Sequence, residues 1–108
     1  MMTKYILLVP LEYNDGSAVP YEVLEQVFDN LYCLAGGYYI AGVGEGSYRM
    51  DNGDKQMDTC LQVWVAVSTE NHVPLLLLIK SFVSLLKQES IYVEKCVSET
   101  MFVRGNEL

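Results

Sequence analysis

The chain predicts an α+β fold in the order β-α-β-β-α-β, and three features of its apolar pattern carry that prediction. Two segments repeat apolar residues at helical spacing, Tyr21 to Leu34 and Val73 to Gln88. Between them lie two strand patterns, Gly37 to Arg49 and Asp58 to Ser68, joined by an Asn-Gly turn. A strand-like run, Tyr5 to Leu11, precedes the first helix, and a short one, Ile91 to Lys95, follows the second. This is the split βαβ arrangement of ferredoxin-like domains, an antiparallel sheet with two helices on one face. With 108 residues the chain has room for one such domain, residues 1–108, and a single core.

Each element has a local reason. The first strand ends at Pro10, and Asn14-Asp15-Gly16 marks a turn because all three residue types tolerate left-handed backbone angles. Pro20 suits the start of the first helix, where its missing N–H costs nothing. Val23, Leu24, Val27, Phe28, Leu31 and Leu34 form one stripe on that helix, and Gly36 or Gly37 closes it with a left-handed cap. In the second strand Gly42, Gly44 and Gly46 alternate at period two and share a face, which marks a bulge or the close approach of another backbone. The returning strand sets Leu61, Val63, Val65 and Val67 against Gln62, Trp64 and Ala66. The second helix needs only Leu75, Ile79, Phe82, Val83 and Leu86 for a core stripe, yet Leu76, Leu77, Leu78 and Leu85 add to it. The residues after about Val103 read as a loose tail.

Bulk properties exclude several classes. The content is 51% apolar and 19% charged, values of a folded globular chain. A net charge of −7, with Lys4, Arg49, Lys55, Lys80, Lys87, Lys95 and Arg104 scattered, argues against a nucleic-acid partner. Cys33, Cys60 and Cys96 show no metal or redox spacing and read as reduced, buried thiols. No secretory signal or spanning segment stands out, so the expectation is a cytoplasmic protein without a membrane partner.

The presumed open face of the sheet carries Trp64, Tyr92 and one of Tyr38/Tyr39. So apolar a face predicts a homodimer with the two sheets face to face, contacting through Trp64, Tyr92 and Tyr39. The alternative is a monomer whose segment Thr100 to Val103 folds over that face as a further strand.

Candidate chemistry is sparse. Tyr48-Arg49 ends the glycine-rich strand and Gln88-Glu89 precedes the last one, so Arg49 can pair with Glu89 or with a bound carboxylate or phosphate. The ion pair is the favoured reading. Asp51, Asp54 and Asp58 lack the alternating spacing of a calcium loop and predict no metal. His72 stands alone at the start of the second helix and reads as a surface residue. Gly42-Val-Gly-Glu-Gly46 lacks the Lys-Ser/Thr ending of a phosphate loop, and no motif calls for a cofactor. Tyr39, Trp64 and Tyr92 offer the aromatics of a base-stacking platform in the same strand order, but the glycine- and aromatic-rich signature segment is absent and the acidic chain lacks the basic setting.

The strings Pro10-Leu-Glu-Tyr-Asn-Asp-Gly16, Gly36-Gly-Tyr-Tyr39, Gly46-Ser-Tyr-Arg-Met50 and Gln88-Glu-Ser-Ile-Tyr-Val-Glu94 resemble a group of small bacterial proteins of unknown function. The resemblance runs from about Lys4 to Glu94 and implies a ferredoxin-like order, with Asp15, Arg49, Gln88 and Glu89 as its recurrent polar positions. It implies no activity. The leading expectation is a small non-catalytic binding or assembly protein that recognises a protein partner or a small anionic ligand, with Tyr48, Arg49, Gln88, Glu89 and Asp15 as ligand residues. A dimeric α+β barrel-type enzyme with acid-base chemistry around Arg49/Glu89 is the alternative. An acidic inhibitor of a nucleic-acid-binding protein, presenting Asp15, Glu22, Glu25, Asp29 and Glu45, is a third.

Overall fold

The computed structural model of the protein describes residues 1–106; the last two positions of the predicted tail lie outside the described residues. Strand β1 (Met2–Pro10) leads to helix α1 (Tyr21–Ala35), then to strands β2 (Tyr39–Arg49) and β3 (Lys55–Ser68). A 3-10 turn, Thr69–Asn71, enters helix α2 (His72–Leu85), and a short strand β4 (Val93–Lys95) follows. The sheet is antiparallel throughout in the order β2-β3-β1-β4, so the ferredoxin-like fold predicted from the apolar pattern is the fold observed. No helix among the described residues is long and apolar enough to cross a membrane.

The core lies between the sheet and the helices. Tyr5, Leu7 and Val9 of β1 alternate inward with Val63, Val65 and Val67 of β3, against Val27 and Leu31 of α1 and Leu75, Ile79, Phe82 and Leu86 of α2. Burial of these side chains is the main stabilising term, at about 25 cal/mol per Å² of apolar surface. The rest of the α1 stripe, Val23, Leu24, Phe28 and Leu34, packs half-buried at its margin. Gly36 adopts φ 79° as the left-handed cap of α1, its N–H donating to the Tyr32 carbonyl at 2.8 Å. Helix α2 closes without glycine. Lys87 takes the left-handed conformation (φ 54°), and the Gln88 N–H reaches back to the Val83 carbonyl at 2.9 Å.

Two sequence readings change in the folded chain. His72 is half-buried rather than a surface residue: its Nδ1 is hydrogen-bonded to the hydroxyl of buried Tyr5, and the rings stack with centroids 5.7 Å apart. The bond satisfies a phenol that would otherwise lie unpaired in the core. Cys33 is exposed on α1, not a buried hydrophobe, while Cys60 and Cys96 are half-buried; all three are free thiols.

The segment Thr100 to Val103 forms no further strand. It touches the sheet through one antiparallel bridge, Thr100 to Met2, and places Phe102 near Trp64. Trp64 lies on the open face beneath the Lys4 ammonium and beside Tyr39.

Candidate functional site

A cavity of about 690 Å³ opens on the sheet face that the helices leave bare. One extra residue in β2 creates its floor. Ile40 pairs with Val63 but Gly42 pairs with Gln62, so Ala41 is a bulge and the register shifts by one from there on. Without the shift Gly42 would oppose Leu61 and the glycines would point toward the helices. With it Gly42, Gly44 and Gly46 stand opposite Gln62, Cys60 and Asp58 on the open face.

None of these three glycines has a positive φ, and a Cβ built on any of them meets nothing within 4 Å. Neither backbone conformation nor packing inside the protomer requires them. Each costs strand stability, since glycine loses the most conformational freedom on folding. What they leave is bare backbone along the cavity floor.

The walls come from β1, β3, the segment after α2 and the far end of β2 itself. Leu8 and Pro10 of β1 and Tyr92, before β4, supply apolar surface. Tyr92 is held in place because the Leu8 N–H donates to its carbonyl at 3.2 Å. Gln88 and Ser90 line the mouth from the loop after α2, where the left-handed Lys87 turns the chain. Tyr48 and Asp58 line it from the hairpin.

Three groups in the cavity have shifted acidities. The Tyr48 hydroxyl oxygen is buried without a hydrogen-bond partner. Burial first, and the Asp58 and Glu89 carboxylates next, push its pKa up, so it stays neutral with its proton free to donate. Burial also raises the Asp58 carboxyl, helped by Glu12 and opposed by a Gln56 hydrogen bond. The Cys60 thiol is pushed up to about 11, by burial and then by Asp58, and is no nucleophile at neutral pH.

The raised Asp58 acidity makes a pH prediction. A carboxyl whose folded pKa lies above its unfolded value stabilises the fold below the unfolded value, about 3.9, and that contribution is lost as pH rises through the folded value. At neutral pH the charge therefore works against folding. Asp58→Asn is expected to raise the melting temperature at neutral pH, and the gain should shrink to nothing below about pH 4. Thermal melts at both pH values check it; an equal gain at both would trace the effect to packing instead of charge.

The structure brings together some of the sequence-predicted site residues and separates others. Tyr48 and Gln88 share the cavity. Glu89 lies beside it, its Oε2 accepting from the Asp51 N–H at 3.2 Å, so the end of the hairpin and the loop after α2 do meet. Arg49 is exposed, opposite Lys55 across the hairpin, and is not in the cavity lining. Asp15 belongs to a separate turn, where its Oδ1 accepts from the Ser17 N–H at 2.9 Å and the Ser17 hydroxyl at 2.5 Å. Those two bonds hold its carboxyl below the usual range. Asp58, Cys60 and Gln62 were missed as site residues. Their signal was present: they fall on the same strand face as Trp64, opposite a row of glycines.

Fold and site together define a small ferredoxin-like protein with a ligand-sized cavity on its open sheet face. No protein-family model matches the sequence, and no curated protein matches it. Solved structures do match in fold. A phage SAM lyase in complex with S-methyl-5'-thioadenosine superposes with a TM-score of 0.66 at 18% identity, over 88% of this chain and 80% of the lyase. The divalent cation tolerance protein Cut A1 from Thermus thermophilus superposes with a TM-score of 0.58 at 18% identity, over 93% of this chain and 88% of its own. At these identities the likeness is one of fold.

Proposed function

We propose that this protein binds a small molecule in the open-face cavity and works as a self-associated unit. The cavity itself carries the reading. Its volume of about 690 Å³ falls in the range of small-ligand sites, and its glycine floor serves nothing inside the protomer. The lining also favours a charge. Asp58 and Glu45 are its ionisable acids, and no Lys or Arg is among the described residues that line it. A neutral or cationic ligand suits that lining better than the anion expected at Arg49.

S-methyl-5'-thioadenosine, bound in the structurally similar lyase, is the natural first probe, with SAM beside it. Native mass spectrometry of the purified protein is expected to show added mass corresponding to one probe per protomer. A clean protein mass at saturating concentrations of both would overturn the nucleoside reading.

A catalytic role is the second reading, favoured by the pairing of an unpartnered phenol with a raised carboxyl in one cavity. It moves the acid-base chemistry from Arg49/Glu89 to Tyr48 and Asp58. Consumption of SAM by the wild type and not by Asp58→Asn would favour it.

The edge of β2 is the proposed contact between copies, in place of a face-to-face dimer that would bury the cavity. β2 is an outer strand of 11 residues, Val43 is 63% exposed on it, and Tyr39 and Ile40 are exposed beside it. An uncovered edge that is apolar from Tyr39 to Val43 invites pairing with a second strand. Sedimentation is expected to give a dimer for the wild type and a monomer for Val43→Lys, because a charge on the edge blocks strand addition. A Val43→Lys protein that stays dimeric would place the contact elsewhere.

A further inference from the structure

The open face holds a second cavity, of about 400 Å³, at the other end of β1. Its chemistry is the reverse of the first. Trp64, Tyr38, Tyr39 and Phe102 supply aromatic walls, and Lys4 is the one charged side chain among the described residues that line it. The Lys4 ammonium sits 3.6 Å from the centroid of the Trp64 ring. The Trp64 indole N–H donates to Gln62 Oε1 at 2.9 Å, which fixes the ring in its plane, and the Tyr39 ring lies 5.3 Å away. The ammonium is thus held over an aromatic face in a half-buried position, with no carboxylate among the described residues that line the cavity around it. A cation–π contact supplies no oxygen acceptor for the ammonium's three N–H donors, so the ammonium retains capacity for an anion.

We infer that this cavity is a binding site for a small aromatic carboxylate, whose ring lies among Tyr39, Trp64 and Phe102 and whose carboxylate meets the Lys4 ammonium. The volume admits an acid of one or two rings. Thr100 also lines the cavity, on a segment tied to the sheet by a bridge to Met2. The site shares no lining residue with the first cavity, which carries the opposite charge.

Trp64 is the chain's only tryptophan, so its emission reports directly on the cavity. Titration with phenylacetate is expected to give a saturable change in that emission, with a midpoint below about 10 mM. Phenylacetamide, which keeps the ring without the charge, should bind at least about tenfold more weakly because it loses the charge-assisted hydrogen bond to Lys4, and acetate, which keeps the charge without the ring, should bind at least about tenfold more weakly because it buries no ring. Lys4→Met should weaken phenylacetate binding by about tenfold or more, and Lys4→Arg should restore it. Saturation-transfer NMR on the ring protons of phenylacetate gives a second readout that does not depend on how Lys4 variants alter the indole. Asp58→Asn should leave the binding unchanged. Non-saturating titration, equal binding of phenylacetamide, indifference to Lys4→Met, or loss of binding in Asp58→Asn would each overturn the assignment.

Discussion

Under the proposed ligand role of the open-face cavity, Gly44→Val is expected to weaken binding of S-methyl-5'-thioadenosine while leaving the fold intact. Gly44 sits at the middle of the cavity floor, opposite Cys60, in an extended conformation that any residue adopts. A Cβ there meets nothing within 4 Å, so the new side chain goes into the space that the ligand would occupy. Valine also favours a strand over glycine, and the variant should be as stable as the wild type or up to about 1 kcal/mol more so. The expected pattern is therefore affinity reduced by more than about tenfold with the melting temperature unchanged or raised. Calorimetric titration and a thermal melt on the same sample test both halves. Retained binding would take the ligand off the glycine floor. A lower melting temperature would show that the protomer needs the glycine after all.

The largest stability effect is expected in α2, as a contrast between two leucines two positions apart. Leu75 is fully buried against the sheet, whereas Leu77 is 62% exposed. Leu75→Ala removes buried methyl groups and leaves a cavity, for a loss of about 2–5 kcal/mol. For a chain of this size that lowers the melting temperature by roughly 10–25 °C. Leu77→Ala should stay within about 0.5 kcal/mol, because its side chain is mostly solvated in both states. Equal losses would show Leu77 covered by a second copy in solution, and the loss at Leu77 would then depend on protein concentration.

This contrast also marks where the sequence stopped being informative. Nine apolar positions from Leu75 to Leu86 announce a helix but do not say which four of them are buried. The choice depends on the angle at which α2 crosses the sheet, which is a tertiary quantity. Elsewhere the local signals sufficed. Alternation in β3 put Val63, Val65 and Val67 on the core face and Trp64 on the other, because a strand has a strict period of two. Gly36 closed α1 because its φ of 79° is one that glycine adopts without strain.

The candidate site was legible only in fragments. Tyr48 and Gln88 were singled out and do line the cavity, but Arg49, beside Tyr48, alternates to the other side of the strand. Asp15, grouped with them on sequence, spends its carboxylate on Ser17 in its own turn. The fate of His72 was set by Tyr5, 67 positions earlier in the chain, which no local pattern connects to it.

The sequence by itself determined the order of elements, the strand faces, the glycine cap of α1 and the shared face of the three glycines, since all of these follow from periodicities of two and 3.6 and from backbone angles of single residues. Only the tertiary structure decided which way that glycine face looks. A one-residue bulge at Ala41 turned it away from the helices, and a register shift depends on the partner strand. The same pairing brought Asp58 and Tyr48 to one wall, and strand order carried Tyr92 and Gln88 to the other, so the cavity exists only where four distant segments converge.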